Sequence, residues 1–225
     1  MASRHVLAAL ILASMGACAA CSSSSSHHEL DPYLCAQQDV GDNYQQLIEG
    51  DVSPNDLADL GSNPASRARA FRDAGLERGR FALFKQALPK PPFDPQVNVV
   101  CQVLEFKNSA QATAFLKSLD PDPSSLSAVT SSSLSLEGAT AVESPIGDAH
   151  DPPWTPEQLG RSFDISASNE TGQTHIRALV FLQDRFVLSI VAGGPGVSAS
   201  VAADIVPGLR SCLEARLASA VCPSR

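Results

Sequence analysis

The sequence predicts an α+β fold, an antiparallel sheet with helices packed on it. Three observations carry that prediction. The run His175–Ala192, HIRALVFLQDRFVLSIVA, is the most apolar stretch after the N-terminal segment and reads as a β-hairpin. Val97–Phe106, VNVVCQVLEF, is a second strand-length apolar run. Helix-start signals at Ser53-Pro54, Asn63-Pro64, Asn108 and Ser198 precede stretches with apolar residues at helical spacing.

The hairpin follows from period two. Ile176, Ala178, Val180 and Leu182 share one face, and Phe186, Leu188, Ile190 and Ala192 do the same after the break. Gln183-Asp184-Arg185 is the polar interruption, short enough for a tight reversal. Leu179, Phe181, Val187 and Val191 fill the other face, so both strands are expected to be covered on both sides. β-branched and aromatic residues dominate, and Gly193-Gly194-Pro195-Gly196 stops the run, which disfavours a buried helix.

At the N-terminus, residues 1–20 have the form of a signal peptide. Arg4 supplies a small positive charge, and Val6–Met15 is an apolar core too short to span a bilayer. Met15-Gly16-Ala17-Cys18 and Cys18-Ala19-Ala20-Cys21 both resemble the lipobox of bacterial lipoproteins, although neither carries the favoured Leu three residues before its Cys. Cleavage before Cys21 leaves Cys35, Cys101, Cys212 and Cys222, an even set. Cleavage before Cys18, the alternative, leaves Cys21 as an odd thiol in an oxidising compartment. Cys21 is therefore the expected lipidation site, carrying diacylglycerol and a fatty acid such as palmitate. Residues 21–30 with the Ser22–Ser26 run form a tether. Loss of Arg4 with the leader takes the formal charge from −8 to −9. That acidic balance argues against nucleic acid as a partner.

Beyond the tether the elements follow in order, within one expected domain over 31–225. Asp31–Gly50 is polar, with Leu34, Cys35, Leu47 and Ile48 as expected core contacts. Ser53 and Asn63, each followed by Pro, open two short helices. The second turns Ala68, Phe71 and Ala74 inward and ends at Gly75. Its Arg67, Arg69 and Arg72 read as a solvated face, with an anion site as the rival. Arg80–Phe84 is a short strand, Pro89–Pro95 a loop, and Val97–Phe106 the strand noted above. Asn108, with Gln111 three residues on, caps a helix that buries Phe115, Leu116 and Leu119 and ends at Asp120–Pro123. Ser124–Glu143 reads as a Ser-rich loop with a weak edge strand near Ser133–Leu136. Phe163–Ala167 is a strand joined to the hairpin through Asn169–Gln173. Pro207-Gly208 should kink or divide the last helix, whose second part buries Leu209, Leu213 and Leu217. Strands then helix occur twice, suggesting related halves over 31–120 and 143–225.

Catalytic signatures are sparse. His27 and His28 lie on the tether, so a nucleophilic site would draw on His150 or His175. No G-x-S-x-G elbow occurs, and His28-Glu29 lacks the second His of a zincin. The four late cysteines lack metal-ligand spacing, so neither a metal nor a cofactor is expected. Gly193–Gly196 lacks the Lys-Ser/Thr of a P-loop and reads as a chain turn. His175 and Arg177 open the hairpin at what should be its solvated end. Asp148, His150, Asp151 and Trp154, in Pro145–Trp154, form the one loop where a carboxylate, an imidazole and an indole converge. The plain alternative is a Pro-stiffened surface loop.

Several pieces together resemble a group of bacterial lipoproteins with no assigned activity: the lipobox, Ala74-Gly75-Leu76, Val103–Leu116, the Pro145–Ala149 loop PIGDA, and Ile176–Leu217. The resemblance implies an exported domain at the cell membrane or outer membrane and a shared fold. It transfers no catalytic residue. The expected function is a lipid-anchored, non-catalytic module binding an envelope protein or a small ligand, with an apolar patch or cleft away from the anchor. An envelope hydrolase using His150 with Asp148 or Asp151 is the alternative.

A helix over Leu209–Ala218 would separate Cys212 and Cys222 by up to ~15 Å, whereas a disulfide needs Cα atoms within roughly 7 Å. Each C-terminal cysteine is therefore expected to pair with Cys35 or Cys101, with Cys101–Cys212 and Cys35–Cys222 preferred.

Overall fold

The computed structural model describes residues 29–60, 63–87, 96–130, 139–144, 159–169 and 172–218. A 3-10 turn at Asp31–Tyr33 and α1 (Gln37–Val40) lead into β1 (Tyr44–Val52), α2 (Pro54–Asp59), α3 (Pro64–Asp73) and β2 (Leu76–Gln86). Next come β3 (Asn98–Phe106), α4 (Ser109–Ser118), α5 (Pro123–Thr130) and β4 (Thr140–Ser144). β5 (Gly160–Asn169), β6 (Gly172–Gln183), β7 (Phe186–Pro195) and α6 (Ala199–Leu217) complete the order. The strands make one sheet in the order β1-β2-β3-β7-β6-β5-β4, with every neighbouring pair antiparallel. The predicted α+β class is the observed one.

The central hairpin is β6 and β7. Gln183 pairs with Phe186, leaving Asp184 and Arg185 as the two-residue turn. Asp184 takes φ 54°, the left-handed value such a turn needs, which Asp tolerates better than most side chains. The period-two alternation holds within each strand, but Leu179 and Phe181 do not share a face with Val187 and Val191 as expected. Ile176, Ala178 and Val180 pack with Val187 and Val191 on one side of the sheet, and Leu179, Phe181, Leu188 and Ile190 pack on the other. β7 is buried from Phe186 through Gly194, as a strand covered on both faces should be. The strand does not stop at Gly193. A Cβ there would lie 2.1 Å from the His175 carbonyl oxygen, so glycine lets β6 and β7 stay paired to their ends.

Two helical layers cover the sheet. On one face, α6 lays Ala202, Val206, Leu209 and Leu213 over Phe84, Val99, Val103, Leu188 and Ile190. Leu30, Leu34, Cys35 and Val40, from the N-terminal segment, join it there. On the other face, Leu57 of α2, Ala112, Phe115 and Leu116 of α4, and Leu126 and Val129 of α5 cover Val100, Leu104, Phe163, Ala178 and Val180. Phe71 and Ala74, at the end of α3, pack against the same cluster.

The strand order β1-β2-β3 and then β7-β6-β5 is mirrored about an antiparallel β3–β7 pair, as a twofold axis normal to the sheet would require. Such an axis would place α4 and α6 on the same face. They lie on opposite faces, so the strand-strand-helix order recurs without that symmetry.

Several expectations need correction. Tyr44–Val52, mostly within the polar stretch Asp31–Gly50, is an edge strand, which the sequence did not indicate. Its Leu47 and Ile48 lie at a register shift and are 48% and 53% exposed, so they are not core contacts. Ser53 caps α2 by accepting the Asp56 N–H, but Asn63 sits in the left-handed region and makes no side-chain cap. Ser124–Glu143 is not all loop: α5 occupies its start and β4 its end, while Ser133–Leu136 lies outside the described residues. α6 runs through Pro207 as one helix. Arg177 is not at a solvated end but only 4% exposed, ion-paired at 2.7 Å with Asp164 across β5–β6.

The preferred disulfides are also overturned. Cys35 bonds Cys101, with their Cα atoms 5.7 Å apart. The 3-10 turn and α1 fold the N-terminal segment onto the α6 face, where Cys101 stands in a row with Val99 and Val103. Cys35 thus meets the centre of the sheet directly. Cys212 is disulfide-bonded as well, and Cys222 lies outside the described residues.

Candidate functional site

Of the residues singled out by sequence, Asp148, His150, Asp151 and Trp154 lie outside the described residues, as do Cys18 and Cys21. His175 is half-buried at the start of β6, its Nε2 3.4 Å from Gln173 Oε1. Among the described residues no group of three or more His, Cys, Asp or Glu is placed to hold a metal ion. No helix among them is long and apolar enough to cross a membrane.

Among the described residues, a site-like feature is a cleft of about 240 Å³ between α3, α4 and α5. Its walls are Ala70 and Phe71 of α3 with Ala74 just beyond, Phe115 and Ser118 of α4 with Leu119 just beyond, and Ser125 and Ala128 of α5, with Arg67 as a charged member. The local sequence explains the gap. These helices have ten, ten and eight residues, and alanines face the space between them. Where large side chains do meet, Phe71 and Phe115 touch as tilted rings with centroids 6.5 Å apart. Three short helices meeting through alanines cannot fill the wedge between them.

Two neighbours of different kinds help to place Arg67. It precedes Phe71 by one helical turn, and its guanidinium carbon stands 5.7 Å from the Phe71 ring centroid. Its Nη2 donates to Ser127 Oγ at 2.8 Å, tying α3 to α5. The adjacent Arg69 and Arg72 are exposed, and Arg72 Nη1 bonds Asn55 Oδ1 at 2.9 Å. The solvated-face reading thus fits Arg69 and Arg72, while Arg67 belongs to the cleft.

The serines are oriented too. Ser118 Oγ donates to the Phe115 carbonyl at 2.8 Å, and Ser125 Oγ accepts the Asp120 N–H at 3.1 Å. Arg161 of β5 holds the end of α4 from outside, donating to the Leu116 and Leu119 carbonyls where the helix leaves acceptors unsatisfied. Arg161 also bonds both carboxylate oxygens of Glu143 at 2.7 Å. That hydrogen bonding, helped by the charge of Arg161, holds Glu143 below the usual glutamate range.

A larger hollow of about 350 Å³ is lined by Glu29, Leu30, Asp51, Val52, Ser53, Asp56, Arg78 and Gly79. Its charges already serve the fold. Arg78 bridges Glu29 and Glu105 at 2.5 Å each, and its hydrogen bond lowers Glu29. Asp56 is held low by hydrogen bonds from Ser53, whose N–H it accepts as the reciprocal half of the α2 cap. The α3–α4–α5 cleft is therefore the better candidate for a ligand, although its volume falls below the roughly 300 Å³ at which drug-sized sites begin. It suits a small molecule or one or two side chains.

Nothing in the sequence pointed to this cleft, because its third wall is α5. The one available signal was Asp122-Pro123, the same cap-then-proline device used at Ser53-Pro54. Ser125 N–H indeed donates to Asp122 Oδ2 at 3.2 Å.

No protein-family model matches the chain, and no curated protein matches it. Among solved structures, it is similar to the extracellular domain of PknH from Mycobacterium tuberculosis, at 12% identity and a TM-score of 0.42, over 79% of this chain and 93% of that one. It is also similar to a Mycobacterium smegmatis protein described as an Rv0999 ortholog, at 10% identity and a TM-score of 0.38, over 78% and 92%.

Proposed function

We propose that the chain is an exported, lipid-anchored binding module of a bacterial envelope, held through Cys21 and taking its ligand in the α3–α4–α5 cleft. The observation that carries the reading is the cleft itself. It is an apolar opening with one oriented cation, Arg67, and hydroxyls already engaged in the fold. Such a lining recognises and orients a ligand. A hydrolase would need a nucleophile and a base within hydrogen-bond reach of each other, and among the described residues that line the cleft there is no imidazole, thiol or carboxylate. The anchor rests on the leader, the small residues before Cys21 and the even cysteine set that remains. The Cys35–Cys101 bond agrees with an oxidising compartment.

Two experiments test the proposal. Mass spectrometry of the protein from native membranes should find Cys21 as the diacylated N-terminus; an uncleaved leader, or lipid on Cys18, would refute the anchor. Retrieval from the same membranes should recover a defined envelope component that is lost with Ala70→Trp, which fills the cleft from an exposed position. Equal retrieval by that variant would move the binding site elsewhere.

A further inference from the structure

At the outer edge of β1 a side chain stands where another strand would pair. In a strand, backbone polar groups two residues apart point to the same side. Gln37 of α1 takes two such groups at once. Its Oε1 accepts the Gln46 N–H at 3.2 Å, and its Nε2 donates to the Tyr44 carbonyl at 2.6 Å. An incoming strand would use this donor and this acceptor whatever its direction. We propose that Gln37 is a guard on the β1 edge, and that what it holds off is edge-to-edge pairing with a second copy of this chain.

The residues that follow explain why the edge needs a guard. Directly after Gln46 come Leu47 and Ile48, at the shift in the β1–β2 register, and both are about half exposed. An edge that carries exposed apolar side chains is where sheets join. Beyond them charge takes over, with Glu49 and Asp51 both paired to Arg80, and a charged edge resists pairing. Gln37 thus covers the side of the apolar pair that carries no charge.

The segment is complementary to itself, which is why the occupant is a second copy. In an antiparallel pair centred between Leu47 and Ile48, Leu47 of one copy meets Ile48 of the other, and Gln46 meets Glu49. Apolar then faces apolar and amide faces carboxylate, and no like charges are opposed from Tyr44 to Asp51. Within one chain Gln46 Nε2 already bonds Glu49 Oε2 at 2.5 Å, so the two groups suit each other.

The guard is steadied by its base. Its Nε2 also donates to the Gly41 carbonyl at 3.0 Å, and Gly41, at φ 102°, turns the chain from α1 back toward β1. Cys35, two residues before the guard, is bonded to Cys101, and Val40 is buried on the α6 face. A side chain held in this way has less freedom to lose when it bonds. Gln37 itself is exposed, so replacing it leaves the core untouched.

Sedimentation velocity over a range of concentrations is the test, on the full chain carrying Cys21→Ser so that no lipid drives association. This parent should stay monomeric where Gln37→Ala forms dimers. Self-association should be at least roughly tenfold tighter in the variant, the ratio that about one hydrogen bond supplies. Gln37→Asn is one methylene shorter and cannot span both groups, so it should dimerise too, and either variant decides the matter if the other misfolds. Adding Leu47→Lys to Gln37→Ala should restore the monomer, because a lysine on an edge blocks pairing. Amide exchange gives a local readout. The Gln46 N–H should be protected in the parent, exchange faster in dilute Gln37→Ala, and regain protection as dimers form. Variants as monomeric as the parent at every concentration would overturn the proposal. So would a parent that dimerises as tightly as Gln37→Ala, or dimers that survive Leu47→Lys.

Discussion

The two faces of the sheet are covered by different kinds of cover. α6, nineteen residues long, crosses one face as an unbroken stripe. It shares that face with an N-terminal segment that is fastened three ways. The Cys35–Cys101 bond is one tie. Arg216 of α6 is another, donating to the Leu34 carbonyl and lying 3.2 Å from Asp39. Arg80 is the third, pairing with Asp31 of the 3-10 turn and with Glu49 and Asp51 of β1. On the opposite face, α2 to α5 are short, meet partly through alanines, and leave the cleft open. The α6 face keeps a hollow of about 220 Å³ as well, but Asp31, Gln37, Gln46, Glu49 and Arg216 line much of it, so charged and polar groups fill its wall where apolar side chains fill that of the cleft. Several short helices leave a concavity, and a concavity is where a ligand can be taken up.

The largest expected contrast lies in large-to-small substitutions. Phe84 and Leu209 are fully buried on the α6 face, and either one replaced by Ala should cost about 3–5 kcal/mol. Phe71 is only partly buried beside the cleft, and Phe71→Ala should cost less than half as much. Urea unfolding of the three variants checks this, and equal losses would erase the distinction between the faces. Next comes the covalent tie. The double variant Cys35→Ser, Cys101→Ser should lose about 2–4 kcal/mol, since the bond closes a long loop between residues 66 apart in sequence. The unfolding midpoint should fall, while ligand binding by the properly folded fraction should remain.

Overpacking gives a smaller and more diagnostic difference. Ala202, on the buried side of α6, is 1% exposed, so Ala202→Leu should cost about 1–3 kcal/mol. Ala70 is exposed at the cleft rim, and Ala70→Leu should stay within about 0.5 kcal/mol. The smallest effect depends on pH. Arg161 depresses the Glu143 pKa in the folded chain relative to the unfolded one. The stability this contributes is therefore present above the ordinary glutamate value, near 4.5, and is lost as pH falls through the lowered value. Glu143 is 39% exposed, so screening keeps the contribution to about 0.5 kcal/mol. Wild type should exceed Glu143→Gln by that margin at neutral pH, and the two should converge in acid. A gap that widened in acid would contradict the pairing.

These contrasts were unevenly legible in the sequence. The β6–β7 hairpin and β3 were readable because period-two patterns of branched and aromatic side chains leave one strand reading. α4 was readable because Asn108 and Gln111 announce it; Asn108 Oδ1 does accept the Gln111 N–H, at 2.9 Å. β1 was not, because an edge strand faces solvent along one side and keeps polar side chains such as Gln45, Gln46 and Glu49. α5 was hidden because serines make a weak helix pattern, and tertiary burial of Leu126, Ala128 and Val129 supplies what intrinsic preference does not. The cleft needs α3, α4 and α5 at once, so it became visible only when the third was placed. Arg67 could not be told from Arg69 and Arg72 by spacing, because what separates them is the Phe71 ring and Ser127.

The most direct test of the contrast between the faces is aromatic NMR of the full chain during titration with octanoate, used as a probe because its short apolar chain suits the apolar lining of the cleft. Phe71 and Phe115 line the cleft, while Phe84 and Phe181 are buried on the α6 face. The Phe71 and Phe115 resonances should shift saturably while those of Phe84 and Phe181 stay unmoved. Shifts centred on Phe84 and Phe181, or small shifts of equal size at all four rings, would contradict it.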